Sequence, residues 1–129
     1  MAVTHSTAAR NAATDAVTAL IGASGKLAFR LAGTVGSPGT VVALLNLSAT
    51  AFPAAVSGTA TANAITSDTN ATGNASPVAT ATLQTSAGTV VIHCAVAASA
   101  SDINMTNGLT VAAGDTVSCS SLTYTALSA

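Results

Sequence analysis

The spacing of apolar side chains changes character at Gly25. Before it, Ala9, Ala12, Ala16 and Leu20 recur at intervals of three or four, which puts them on one face of a helix. Ser6 or Thr7 can cap that helix, because a short hydroxyl accepts a hydrogen bond from a free first-turn N–H, and Gly22 is placed to end it. A face made mostly of alanine leaves the helix marginal in isolation. It is therefore predicted to pack on the chain's own sheet or on a neighbouring molecule.

After Gly25 the period shortens to two. Leu27, Phe29 and Leu31 point one way and Lys26, Ala28 and Arg30 the other, the pattern of a half-buried strand. Val41–Leu47 is more continuously apolar and reads as a strand covered on both faces. Residues 33–39 between them hold three glycines and Pro38, a loop. Alternation of Thr with Ala, Val or Ile then predicts strands over 59–65, 78–85 and 89–96, with Ser86-Ala87-Gly88 closing a hairpin between the last two. A short strand over 103–105 and two more over 109–112 and 116–125 complete the series. Seven or eight short strands separated by turn signals predict an all-β fold: an antiparallel β-sandwich or jelly-roll-like domain over residues 26–129, preceded by a helical segment and hinge over residues 1–25.

Composition limits the core. Half of the 129 residues are hydrophobic, but about a quarter of the chain is alanine and aromatics are 2%. Burying a large side chain is worth about 1.5–3 kcal/mol and an alanine far less, so the core must rest on Val, Leu and Ile. Charge is scarcer still: 5% of residues and a net charge of −1, against about 25–35% on a typical soluble surface. A surface so poor in charge is expected to be covered in part by neighbouring molecules.

The same count excludes several partners. Arg10, Lys26 and Arg30 are too few and too scattered to follow a phosphate backbone, so no nucleic acid is expected. There is no basic amphipathic helix for a membrane surface and no apolar run long enough to span a bilayer. The opening residues lack a secretory pattern, which predicts synthesis in the cytoplasm.

Candidate chemistry reduces to a few residues. His93 and Cys94 are adjacent in a predicted strand, so their side chains diverge to opposite faces and cannot act together. Cys94 and Cys119 are expected as free thiols, although neighbouring strands could bring them into bonding distance. Asp68, Asp102 and Asp115 sit among turn residues and are predicted to cap local N–H groups. Asn-X-Ser/Thr triplets begin at Asn46, Asn70, Asn74 and Asn104, as many as chance supplies in a chain so rich in Ser and Thr. No phosphate loop, dinucleotide fingerprint, nucleophile elbow or metal-ligand spacing is present. No catalytic residue, cofactor site or metal site is therefore assigned, and the chain is expected not to be an enzyme.

Three blocks of sequence resemble a family of small virion proteins from tailed bacteriophages and prophages. They are the opening run Met1-Ala2-Val3-Thr4-His5-Ser6-Thr7-Ala8-Ala9-Arg10-Asn11-Ala12-Ala13-Thr14-Asp15-Ala16-Val17, the middle run from Gly58 through Thr69, and the closing run from Ala113 through Tyr124. Together they cover about half the chain, and their order is more specific than any one of them. Residues 33–55 do not match closely. The resemblance implies a capsid decoration, or cement, protein that braces the outer face of the head. Its partners would be the major capsid protein and copies of itself in a homotrimer, and its place the exterior of the virion. The alternatives are a tail or tail-tube component, or a carbohydrate-binding, adhesin-type sandwich. The last would need an aromatic platform built from Phe29, Phe52 and Tyr124.

Overall fold

The computed structural model describes residues 3–129; Met1 and Ala2, the start of the opening block, lie outside the described residues. A helix, α1 (Thr7–Ala19), precedes seven strands: β1 (Lys26–Arg30), β2 (Val41–Asn46), β3 (Thr59–Thr61), β4 (Thr80–Gln84), β5 (Val90–Ala97), β6 (Ile103–Asn104) and β7 (Thr123–Thr125). The protein is thus mostly β, and its five-stranded sheet, ordered β2-β1-β4-β5-β6, curls into a half-barrel. β3 and β7 form a separate two-stranded ribbon.

Local signals account for the ends of α1. Ser6 is its N-cap, its Oγ accepting from the N–H of Ala9 at 3.1 Å, and the chain leaves the helix through Leu20 and a left-handed Gly22 at φ 71°. The β1–β2 connection is equally constrained by size. A Cβ on Gly39 would lie 2.3 Å from the carbonyl oxygen of Leu31, so the two arms of that loop meet only because a side chain is missing there. The β4–β5 hairpin turns at Ser86–Gly88, with Gly88 at φ 96° donating to the carbonyl of Thr85.

The core lies on one face of the sheet and is built in rows. Leu27 sits between Leu45 and Leu83, and Phe29 between Ala43 and Ala81, so the large aromatic is flanked by the smallest side chains and the leucines by each other. Ile21, Phe52, Val78, Val111 and Val117 close this layer from the loops. Alternating bulk across a row lets the rows interdigitate without voids.

The opposite face is polar yet covered. Thr82 is fully buried and Gln84 nearly so, beneath the guanidinium of Arg30. Arg30 Nε donates to Thr82 Oγ1 at 3.0 Å, Nη1 to the Gly39 carbonyl at 2.9 Å and Nη2 to Gln84 Oε1 at 2.9 Å. One planar fork therefore ties β1 to β4 and to the β1–β2 loop.

Several expected strands are shorter than the alternation suggested. The stretch 59–65 is a strand only at β3, 109–112 is irregular, and 116–125 contains a single bridge from Val117 to Asp68 followed by β7. Alternation of Ala with Thr or Ser supplies two faces of similar size, which specifies register weakly. β6 also departs from the antiparallel expectation: it pairs with β5 in parallel, Val96 opposite Ile103. The five residues between them allow this because the pairing is two residues long.

Candidate functional site

The surface of α1 is the reverse of the one its periodicity predicts. Ala9, Ala12, Ala16 and Leu20 face outward, Leu20 at 65% exposure, while Thr14 is fully buried and Thr18 nearly so. The inward face is held by hydrogen bonds to main-chain groups far away in sequence. Thr14 Oγ1 donates to the Gly58 carbonyl at 2.6 Å and accepts from the N–H of Ala126 at 3.1 Å. Asn11 Oδ1 accepts from the N–H of Gly58 at 2.7 Å, and Asp15 Oδ1 from the N–H of Ala55 at 2.8 Å. Alanine offers nothing to such partners, so the polar side wins the inward position although burying a methyl there is favourable. The helix ends up docked by its polar side, with about 20 Å of alanine-rich surface free.

The aspartates do more than cap turns. Asp115 does cap locally, accepting from the N–H of Ala112 at 2.9 Å. Asp68 combines a local bond from Asn70 with a long-range one, its Oδ2 accepting from the N–H of Leu44 at 2.9 Å on the outer edge of β2. Further bonds from Thr66 to Asn46 and from Gly73 to Val42 run along the same edge. Asp102 Oδ2 reaches the other edge of the sheet and accepts from the N–H of Ala95 at 3.0 Å on β5. Asp68 and Asp102 thus satisfy main-chain donors that the two strands would otherwise leave open.

His93 and Cys94 fall on opposite faces of β5, His93 across from Thr82 and Cys94 across from Ala81. Both cysteines are free thiols, as expected. Burial, helped by the nearby Asp102 carboxylate, pushes the Cys94 thiol up from 9.0 to about 11, and burial raises Cys119 as well. Thiols so placed are poor nucleophiles at neutral pH. Among the described residues no three of His, Cys, Asp or Glu gather closely enough to hold a metal ion.

An open groove of about 620 Å³ lies between the 102–108 loop and the 115–123 segment. Hydroxyls and amides such as Ser118, Ser120, Asn104 and Asn107 line it, with Met105 and Leu122 among its apolar contributions. A second recess of about 350 Å³ lies between α1 and the loop 49–54. Phe29 and Phe52 are 2% and 9% exposed, so they serve the core rather than an aromatic platform for sugars. Further apolar side chains stand outward at Val3, Val35 and Val56, at 76%, 62% and 74% exposure. No helix among the described residues is long and apolar enough to cross a membrane. Compared with known proteins, the chain matches no family model, no curated protein and no solved structure.

Proposed function

We propose that the chain is a non-enzymatic structural protein of a bacteriophage virion, a decoration protein that binds the outer surface of the major capsid protein through the exposed face of α1. The observation that carries this reading is the inverted helix. Its polar side is engaged by the chain's own backbone and its alanine and leucine side is left to a partner. Scarce surface charge and the ordered resemblance of three sequence blocks to small phage virion proteins support it. A cement protein has to spread modest contacts over many copies, where multivalency multiplies weak binding. A flat, small-residue helix face suits that role. Copies of the chain meet as a homotrimer in this reading. Its architecture is a reduced sandwich, with the β3–β7 ribbon as a second layer: Ala60 and Tyr124 join the same apolar cluster as the large sheet.

The test is binding to purified heads assembled without this protein, followed by sedimentation and electron microscopy. Density on the outer face of the head is expected, and loss of co-sedimentation when Ala12 and Ala16 are both changed to Lys with the circular dichroism spectrum unchanged. Density on the tail, or no binding, overturns the assignment. Point changes on the exposed face serve this test better than truncation through the helix, because Ile21 is 1% exposed and belongs to the core.

A further inference from the structure

The two edges of the half-barrel are finished differently. The β2 edge is covered by the chain itself, through Asp68, Thr66 and Gly73. The β5 edge is covered only at its C-terminal end, where the two residues of β6 pair with it and Asp102 takes the N–H of Ala95. The direction of the remaining groups follows from bonds already made. Val96 donates toward β4, to Ala79, and Ala97 accepts from Met105 on the opposite side. Main-chain groups alternate sides along a strand, so both the N–H and the carbonyl of His93 point away from β4. Neither of these two groups has a hydrogen-bond partner among the described residues, whereas the Ala95 carbonyl on the same side lies within the β5–β6 ladder, where Val96 pairs with Ile103. The side-chain Nε2 of His93 is likewise buried without a partner.

An open edge accepts an extended strand, and three observations say whose. Val90 through Ala97 carry no Asp, Glu, Lys or Arg, so two identical edges meet without like-charge repulsion. The free N–H and carbonyl of His93 are satisfied by the same two groups of an identical strand turned end for end, one residue exchanging both bonds with its copy. Because the β2 edge is occupied, β5 of one copy has no β2 of another to join, which excludes head-to-tail growth. We infer that β5 pairs antiparallel with β5 of a second copy across a two-fold axis near His93, joining two half-barrels into one continuous sheet. This contact is closed and isologous, and so separate from any three-fold contact. It does not rest on the virion reading.

The inference is tested by sedimentation equilibrium on the full chain together with hydrogen exchange. A reversible dimer is expected, with the His93 amide becoming protected as concentration rises. His93→Pro removes an edge-facing donor while keeping the bonds from Ile92 and Cys94 to β4, a position where proline is tolerated. It should leave a folded monomer. A second variant, Ile92→Cys, needs no loss of structure. With His93 facing its own copy, residue 92 lies opposite Cys94 of the second copy in a non-hydrogen-bonded pair, where Cα atoms are about 4.5 Å apart and within disulfide reach. Mild oxidation should therefore yield a covalent dimer between residue 92 and Cys94. A wild-type chain that stays monomeric up to its solubility limit overturns the inference. So does a dimer in which the His93 amide exchanges freely and Ile92→Cys does not cross-link. Either result leaves head binding through α1 untouched.

Discussion

Replacing Thr14 by valine isolates what holds α1 in place. The two side chains have nearly the same shape and helix preference, so the change removes one hydroxyl and little else. That hydroxyl serves two main-chain groups, donating to the Gly58 carbonyl at 2.6 Å and accepting from Ala126 N–H at 3.1 Å. Gly58 is buried, and stranding its carbonyl costs about 1–3 kcal/mol. Ala126 is half-buried and reaches water in part, which limits its share to about 0.5–1.5 kcal/mol. The expected loss is about 2–4 kcal/mol, a large fraction of the roughly 5–15 kcal/mol that a domain has in total. At about 3–5 °C per kcal/mol for a chain of this size, Tm falls by about 10 °C. Urea unfolding followed by circular dichroism measures it, with an unchanged slope showing that the unfolded state is the same. Thr18→Val is the control. Its hydroxyl bonds within the helix, to the Asp15 carbonyl at 3.3 Å, so the change should stay within about 0.5 kcal/mol. If Thr14→Val is as stable as the wild type, or the two variants lose equally, then packing and not hydrogen bonding docks the helix.

Two further outcomes follow from side chains in the sheet. Arg30→Lys keeps the charge but replaces a planar fork that serves Thr82, Gly39 and Gln84 by a single ammonium; a loss of about 1–3 kcal/mol in urea unfolding is expected, and no loss would show the fork to be ornamental. For Cys94, whose folded value of about 11 lies above the ordinary 9.0, the folded state holds its proton longer than the unfolded one. Its contribution to stability is therefore complete below pH 9 and is lost as pH rises toward 11. Cys94→Ser should flatten the alkaline limb of stability against pH, and an unchanged limb would remove Cys94 as its cause.

The large aliphatic alternations were readable from the chain. Leu27, Phe29, Val42, Leu45 and Leu83 are bulky enough that only one pairing buries them, so β1, β2, β4 and β5 fall where the pattern puts them. The helix span and both its ends follow from Ser6 and Gly22, which act locally. The orientation of that helix was not readable. Alanine and threonine differ little in size, and what decides between them is a carbonyl at residue 58 and an N–H at residue 126. The same holds for Asp68 and Asp102, which look like turn residues because their distant partners are main-chain groups without a sequence signature. Arg30 shared that fate, since two of its acceptors lie more than fifty residues away. These choices decide which surfaces stay exposed, so the outer helix face and the open strand edge emerge only from the assembled fold.

The bond between Thr14 and Ala126 also sets an order of events. It spans 112 residues, and β7, which lies beside the helix, is made from Thr123–Thr125. During synthesis at ~5–20 residues per second, the helix emerges on the order of ten seconds before its last anchor exists. Until then α1 is short, rich in alanine and without its full dock, the condition in which an isolated helix melts. Its outer face therefore becomes a defined surface late, after residue 126 has been made. In the proposed capsid-binding role, a nascent chain would then lack its docking surface, and assembly would be timed by translation itself.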